Sequence, residues 1–224
     1  MSRIVVDIET VGFPLESFDE QQQTYLLKFA EDEHQREEAI QKISLYPLTA
    51  QIIVIGMLNP ETNRGKILFQ SDESEGFSSA DELVQFVPGT EREMIEEFWR
   101  DILHYKQIVT FNGRGFDAPF LHLRSAAFGI LPTKNLMPYR YEATQHCDLL
   151  EQFTFHGAIR KFNLDFYCKA FGIDSPKSHG VTGLDLKQMF EEKKYREIAE
   201  YNLADLKATA ELYRRWEPTL KLHV

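Results

Sequence analysis

The sequence predicts an α/β fold: a mixed five-stranded sheet flanked by helices, with a helical insertion after the first strand. Three observations carry this expectation. Short β-branched runs come early and strand–helix alternation follows, the order that suits a mixed sheet covered by helices. Turn and cap signals fall between the runs, where such elements have to end. The 224 residues are enough for one full core, so residues 1–224 are read as a single domain with 11–50 as the insertion.

Taken in order, Arg3-Ile4-Val5-Val6-Asp7 reads as a buried strand with Asp7 near its C-terminal end. The stretch from Thr10 to Gln51 is rich in Gln, Glu and aromatics, with a helical pattern around Thr24 to Lys42, and is longer than an ordinary connection. It emerges beside Asp7, where it could guide a substrate, cap a cleft or contact a protein partner. Gln51 to Leu58 and Lys66 to Gln70 flank the turn Asn59-Pro60-Glu61-Thr62-Asn63 and form a hairpin. Thr90-Glu91-Arg92-Glu93 is a capping box opening a helix through Trp99 and Leu103, with Phe98 and Trp99 as core.

Gln107-Ile108-Val109-Thr110-Phe111 is the next strand, and Asn112-Gly113-Arg114-Gly115 is turn chemistry. Asp117 then starts a helix, as an N-cap on the local signal alone, with Pro119 in the first turn and Gly129 near its end. A short strand at Cys147 to Leu150 completes the sheet. Helices follow near Leu164 to Phe171, Leu184 to Phe190 and Tyr195 to Trp216.

The chemistry lies in three separated acidic clusters. Asp7 and Glu9 are two apart on a strand, so both project from one face and reach one ion, with Asp7 able to bridge to a second. Asp117 follows a strand and a tight turn. Tyr201 and Asp205 are four apart on a helix and share a face, where a phenol and a carboxylate could hold a metal and orient its water. Convergent carboxylates without a cationic partner are costly, and divalent cations remove that cost. An all-oxygen set suits Mg²⁺ or Mn²⁺ rather than zinc.

These residues resemble the motifs of the DEDD, or DnaQ-like, superfamily of 3′–5′ exonucleases. Its Asp-x-Glu motif is matched by Asp7 and Glu9 with Thr10 following; its Asn…Phe-Asp motif is matched by Asn112, Phe116 and Asp117. Its tyrosine subgroup carries Tyr-x-x-x-Asp, matched by Tyr201 and Asp205; the histidine subgroup places His where this chain has Glu200. Within the tyrosine subgroup the chain is similar to the exonuclease domain of family-B DNA polymerases, from residue 4 to about 216, and the order of elements then reads as an RNase H-like sheet.

The resemblance implies two Mg²⁺ or Mn²⁺ ions per site, clamping the attacking and leaving oxygens at phosphorus. Asp7 is expected to bridge them, Glu9 and Asp205 to complete one position, Asp117 to hold the second ion through water, and Tyr201 to orient the nucleophilic water. Asn112 and Phe116 are expected at the terminal nucleotides, Thr10 and its loop at the terminal base. Apart from the resemblance, the cationic loop Lys177-Ser178-His179-Gly180 reads either as a plain connection or as one whose Lys177 steers phosphate. The partner is single-stranded nucleic acid with a free 3′ end, and the product a nucleoside 5′-monophosphate. RNA as substrate, a non-catalytic binding module and an RNase H-type endonuclease are the alternatives; the last fits Tyr201 and Asn112 poorly.

Net charge is −10, from 35 acids against 25 Lys and Arg, which opposes a general nucleic-acid binder. The acids are segregated, however. Residues 16–38 hold eight acids against two bases and residues 71–97 nine against one, leaving the rest of the chain net positive. Cys147 and Cys168 have no metal-ligand spacing and read as reduced thiols of a cytoplasmic protein. No signal peptide or membrane-spanning run is expected, and the seven histidines show no zinc spacing. His146 and Asp148 are read as a polar strand end.

Overall fold

Residues 2–175 and 185–221 are described by a computed structural model. A seven-stranded mixed sheet runs through them in the order β4-β5-β3-β2-β1-β6-β7. The five expected strands are β1 (Arg3–Gly12), β2 (Ala50–Leu58), β3 (Gly65–Gln70), β6 (Gln107–Thr110) and β7 (His146–Asp148). Two more lie at the β3 edge: β4 (Phe77–Ser78) and β5 (Val84–Gly89). Their signal is faint because β4 is two residues long and β5 contains Pro88. That proline sits beyond the stretch covered by β4, where a missing N–H costs no ladder bond.

β1 is central, antiparallel to β2 and parallel to β6. Its side chains alternate between two cores. Val5 and Val11 join the core beneath α8 (Tyr195–Thr219), with α6 (Leu164–Phe171) and α7 (Leu186–Glu191) beside it. Ile4, Val6 and Ile8 join the other, beneath α3 (Glu91–Ile102) and α4 (Asp117–Phe128). Phe98 and Trp99 are fully buried there, and the indole N–H of Trp99 donates to Ser125 Oγ at 2.8 Å. The capping box at Thr90 is formed in both directions.

Three local expectations change. The insertion is two helices, α1 (Glu20–Leu26) and α2 (Glu33–Lys42), because Asp32 caps a fresh start by accepting from Gln35 N–H. The seventh strand stops at Asp148, whose carboxylate caps α5 (Leu149–Phe153), so Leu149 and Leu150 are helical. Phe116, not Asp117, is the N-cap residue of α4, and the Asp117 carboxylate is used elsewhere. Tyr25, Phe29, Tyr46 and Leu48 leave more than half of their surface exposed on the insertion. Cys147 and Cys168 are free and buried, and no described helix is long and apolar enough to cross a membrane.

One ion pair fixes α4 and therefore Asp117. Arg124 on α4 makes a bidentate contact with Glu91 on α3, at 2.8 and 2.7 Å, and both side chains are nearly enclosed. Glu91 also accepts from Ile52 N–H at 2.8 Å, next to a β-bulge where Glu9 pairs with Val54 but Thr10 with Ile52. The carboxylate thus satisfies a strand donor beside the irregular register. Arg124→Ala leaves Glu91 short of a partner and is expected to cost about 3 kcal/mol in urea unfolding. The pair Glu91→Gln with Arg124→Met is expected to lose less; a loss below about 1 kcal/mol for Arg124→Ala would mark the contact as a solvent-screened surface pair.

Candidate active site

Asp7 and Glu9 share the α8-facing side of β1, and α8 crosses that side carrying Tyr201, Asn202 and Asp205. One ligand oxygen from each of Asp7, Glu9 and Asp205 lies within 4.8 Å of the other two. The approach depends on Gly56, which pairs with Asp7 across β2. A Cβ there would stand 2.0 Å from Asn202 Oδ1 and 2.5 Å from Leu206 Cδ1, so no other residue lets the helix come this close.

Asn202 is completely buried beneath the acids. Its Nδ2 donates to Asp7 Oδ2 at 2.8 Å and, more weakly, to Glu9 Oε1 at 3.4 Å. Sequence reasoning passed over both Asn202 and Gly56. The signals were present: a glycine interrupting the apolar run of β2, and an asparagine one helical turn from Asp205.

Asp117 arrives from the opposite layer. β6 pairs with β1 only as far as Val5, and beyond that the Asp117 carboxylate accepts from Ile8 N–H at 3.0 Å. The intervening turn is tightly built. Asn112 has a left-handed backbone (φ 65°), and a Cβ on Gly113 would be 2.4 Å from the Thr110 hydroxyl oxygen. Asp148 accepts from the backbone N–H of Asn112 (3.0 Å) and of Arg114 (2.9 Å), which ties the turn to β7 and α5. Asp148 is therefore an organising acid rather than a plain strand end.

Asp7, Asn112, Tyr201 and Asp205 line one cleft of about 340 Å³, together with Phe111 and with Phe162 to Asp165 from the start of α6. The α6 segment was not foreseen as part of the site. Thr10 and Phe116 sit differently. The Thr10 hydroxyl donates to Ser44 O at 2.7 Å and binds the insertion to β1. The Phe116 ring packs on Phe120, with centroids 4.9 Å apart, at the border of the α3–α4 core. Lys177 lies outside the described residues.

The electrostatics are those of a site built for a cation. Burial raises the Asp7 carboxyl well above its ordinary value, and Asp117, Glu9 and Asp205 add to this. Burial and Asp205 do the same to Glu9, opposed by the hydrogen bond from Asn202. Asp117 is pushed up to about 7, chiefly by burial and against the bond from Ile8 N–H. Burial and the three acids Asp205, Glu9 and Asp7 drive the Tyr201 phenol upward, so it remains a protonated donor bonded to Asp205. Among the described residues no Lys or Arg forms an ion pair with Asp7, Glu9 or Asp117. Hard oxygen donors in this density fit a divalent cation such as Mg²⁺ or Mn²⁺.

A sequence profile of the family described as predicted 3′–5′ exonucleases related to the exonuclease domain of PolB matches residues 67–220. That span holds Asn112, Asp117, Tyr201 and Asp205, with Asp7 and Glu9 upstream of it. The chain is similar to DNA polymerase 1 of Sulfurisphaera ohwakuensis, 28% identical over 163 residues that cover 69% of this chain and 18% of that protein. It is also similar to DNA polymerase 1 of Saccharolobus solfataricus, 25% identical over 160 residues covering 65% and 17%. The chain thus spans less than a fifth of the length of these relatives. The family B DNA polymerase from Pyrobaculum calidifontis shares the fold, with a TM-score of 0.62 over 96% of this chain and 24% of that one at 17% identity.

Raised carboxylate pKa values make a stability prediction. Between the unfolded value and the folded value of about 7, the native state of Asp117 holds more protons than the unfolded chain. Stability from this group is therefore full at low pH and is lost as pH rises towards 7. In the presence of chelator, Tm is expected to fall between pH 5 and 8, Asp117→Asn to flatten that fall, and Mn²⁺ to raise Tm at pH 8 by several degrees. A chelated wild-type protein with a flat profile over this range would contradict the account.

Proposed function

Because the chain belongs to the family of predicted 3′–5′ exonucleases related to the exonuclease domain of PolB, we propose that it hydrolyses single-stranded DNA from the 3′ end, one nucleotide at a time. The products are nucleoside 5′-monophosphates. The observation that carries this reading is the meeting of Asp7, Glu9 and Asp205 within 4.8 Å, with Asp7 and Asp205 lining a cleft that Tyr201 and Asn112 also line. DNA is preferred as substrate because the similar curated proteins are DNA polymerases.

Asp7, Glu9 and Asp205 are assigned to one Mg²⁺ or Mn²⁺ ion, and Asp117 with Asp7 to a second. Such ions, when bound, stabilise charge on the phosphate oxygens and lower the pKa of water. The protein's own groups do the positioning. Asn202 holds the Asp7 carboxylate in one orientation from below, and Ile8 N–H does the same for Asp117. Tyr201, protonated and with its one O–H given to Asp205, is assigned to orient the attacking water by accepting a hydrogen bond from it at the phenol oxygen, without removing its proton.

Asn112 faces the cleft from its left-handed turn and is assigned to the sugar–phosphate of the terminal nucleotides. Thr10 and Phe116 are assigned indirect roles. Thr10 anchors the insertion beside the cleft, and Phe116 seats the start of α4 so that Asp117 reaches β1. The insertion itself is acidic and is not assigned to the phosphate backbone, which it repels.

The test is a digest of one oligonucleotide labelled at either end, with Mg²⁺, Mn²⁺ or chelator, beside a closed single-stranded circle. Label at the 3′ end is expected to leave first as mononucleotide, with no cleavage in chelator and none of the circle. Asp7→Ala and Asp205→Ala are expected to abolish turnover while keeping the native circular dichroism spectrum. Tyr201→Phe is expected to lower kcat roughly tenfold to a hundredfold without loosening Mn²⁺ binding. Release from the 5′ end first, or wild-type turnover in Asp7→Ala, would overturn the proposal.

A further inference from the structure

The turn between α5 and α6 stands apart from the rest of this acidic chain. From Gln152 to Leu164 there is no acidic residue, whereas Arg160 and Lys161 are adjacent and exposed. Among the described residues neither of the two has an ion-pair partner. The same turn is aromatic. Phe162 lines the cleft beside Asp7 and Asp205 and stacks on Phe166 with centroids 4.3 Å apart and planes at 16°. Arg160 lies over the Phe162 ring, 4.9 Å from its centroid. Phe166 is 55% exposed, and so is Ile159.

The backbone here is also constrained. Phe155 (φ 50°) and His156 (φ 58°) are both left-handed ahead of Gly157, a costly pair for side chains of this size. The turn is pinned on both sides. The buried Thr154 hydroxyl donates to Leu150 O at 2.6 Å, and the Asn163 side chain caps α6 by accepting from Phe166 N–H at 3.0 Å. A cationic and aromatic edge, hydrogen-bonded at both ends, therefore begins at the wall of the acidic cleft.

We propose that Arg160, Lys161, Phe162 and Phe166 form the track for the single strand, gripping the nucleotides that lie 5′ to the terminal one. The two cations take backbone phosphates, and the aromatic pair offers a face on which bases stack whatever their sequence. Charges are screened beyond about 8–10 Å at ordinary salt, so this edge, not the net charge of −10, governs what a strand meets at the cleft. The track rests on the exonuclease reading but is tested separately from it.

Strand binding is measured first, in chelator, by fluorescence anisotropy of a labelled ten-nucleotide single-stranded DNA over a series of salt concentrations. The double substitution Arg160→Ala with Lys161→Ala is expected to weaken Kd at least tenfold at low salt. It should also flatten the slope of log Kd against log salt by about 1.4, the value for two lost phosphate contacts on a single strand. Phe166→Ala is expected to weaken Kd about fivefold or more and leave that slope alone. In Mn²⁺ the double variant should lose at least fivefold more kcat/KM on the ten-nucleotide strand than on a dinucleotide. A double variant with wild-type Kd and wild-type salt slope would overturn the track. Wild-type protein that binds the strand but releases no nucleotide in Mn²⁺ would instead overturn the exonuclease reading and leave the track standing as a binding site.

Discussion

Holding three carboxylates within 4.8 Å of one another, one of them buried and two half-buried, is the constraint around which this molecule is arranged. Like charges in a low-dielectric setting repel strongly, and each loses hydration as well. Without a cation the acids respond by holding their protons, which is why Asp7, Glu9 and Asp117 are all shifted upward. Among the described residues no lysine or arginine forms an ion pair with Asp7, Glu9 or Asp117. Neutral donors, the Asn202 amide and the Ile8 N–H, fix where the carboxylates of Asp7 and Asp117 point without adding a positive charge. Such a donor set suits a divalent cation.

Both layers of the sheet are recruited to this end. From one side α8 descends on β1 and β2 only because Gly56 has no side chain to meet Asn202 and Leu206. From the other, α4 is clamped to α3 by Arg124 and Glu91, so that its first residue meets β1 where β6 has ended. The β-bulge after Glu9 and the turn held by Asp148 are irregularities of the kind that aim side chains at sites. Each is expensive to build in isolation, and each is joined to a buried hydrogen bond that makes it determinate.

Much of this was legible in the chain. Strand alternation placed Asp7 and Glu9 on one face, and helical spacing placed Tyr201 with Asp205, because both follow from periods that tertiary structure seldom alters. The capping box at Thr90 is equally local. What could not be read was long-range accommodation. The N-cap signal at Asp117 was outcompeted by an N–H on another strand. Asn202 and Gly56 only acquire meaning as a pair, 146 positions apart, once α8 is laid on β2. β4 and β5 carry too little pattern to stand out, and the contribution of Phe162 to the cleft depends on where α6 docks.

Charge segregation gives the surface its logic: acids concentrated on the insertion and near β4 and β5, and an acid-free turn at the cleft. The central claim, though, concerns the interior. Anomalous diffraction from a crystal soaked in Mn²⁺ near pH 8 measures it most directly. The account predicts a manganese peak enclosed by the carboxylates of Asp7, Glu9 and Asp205. Ordered carboxylates with no manganese between them, neutralised by a lysine or arginine side chain, would contradict it.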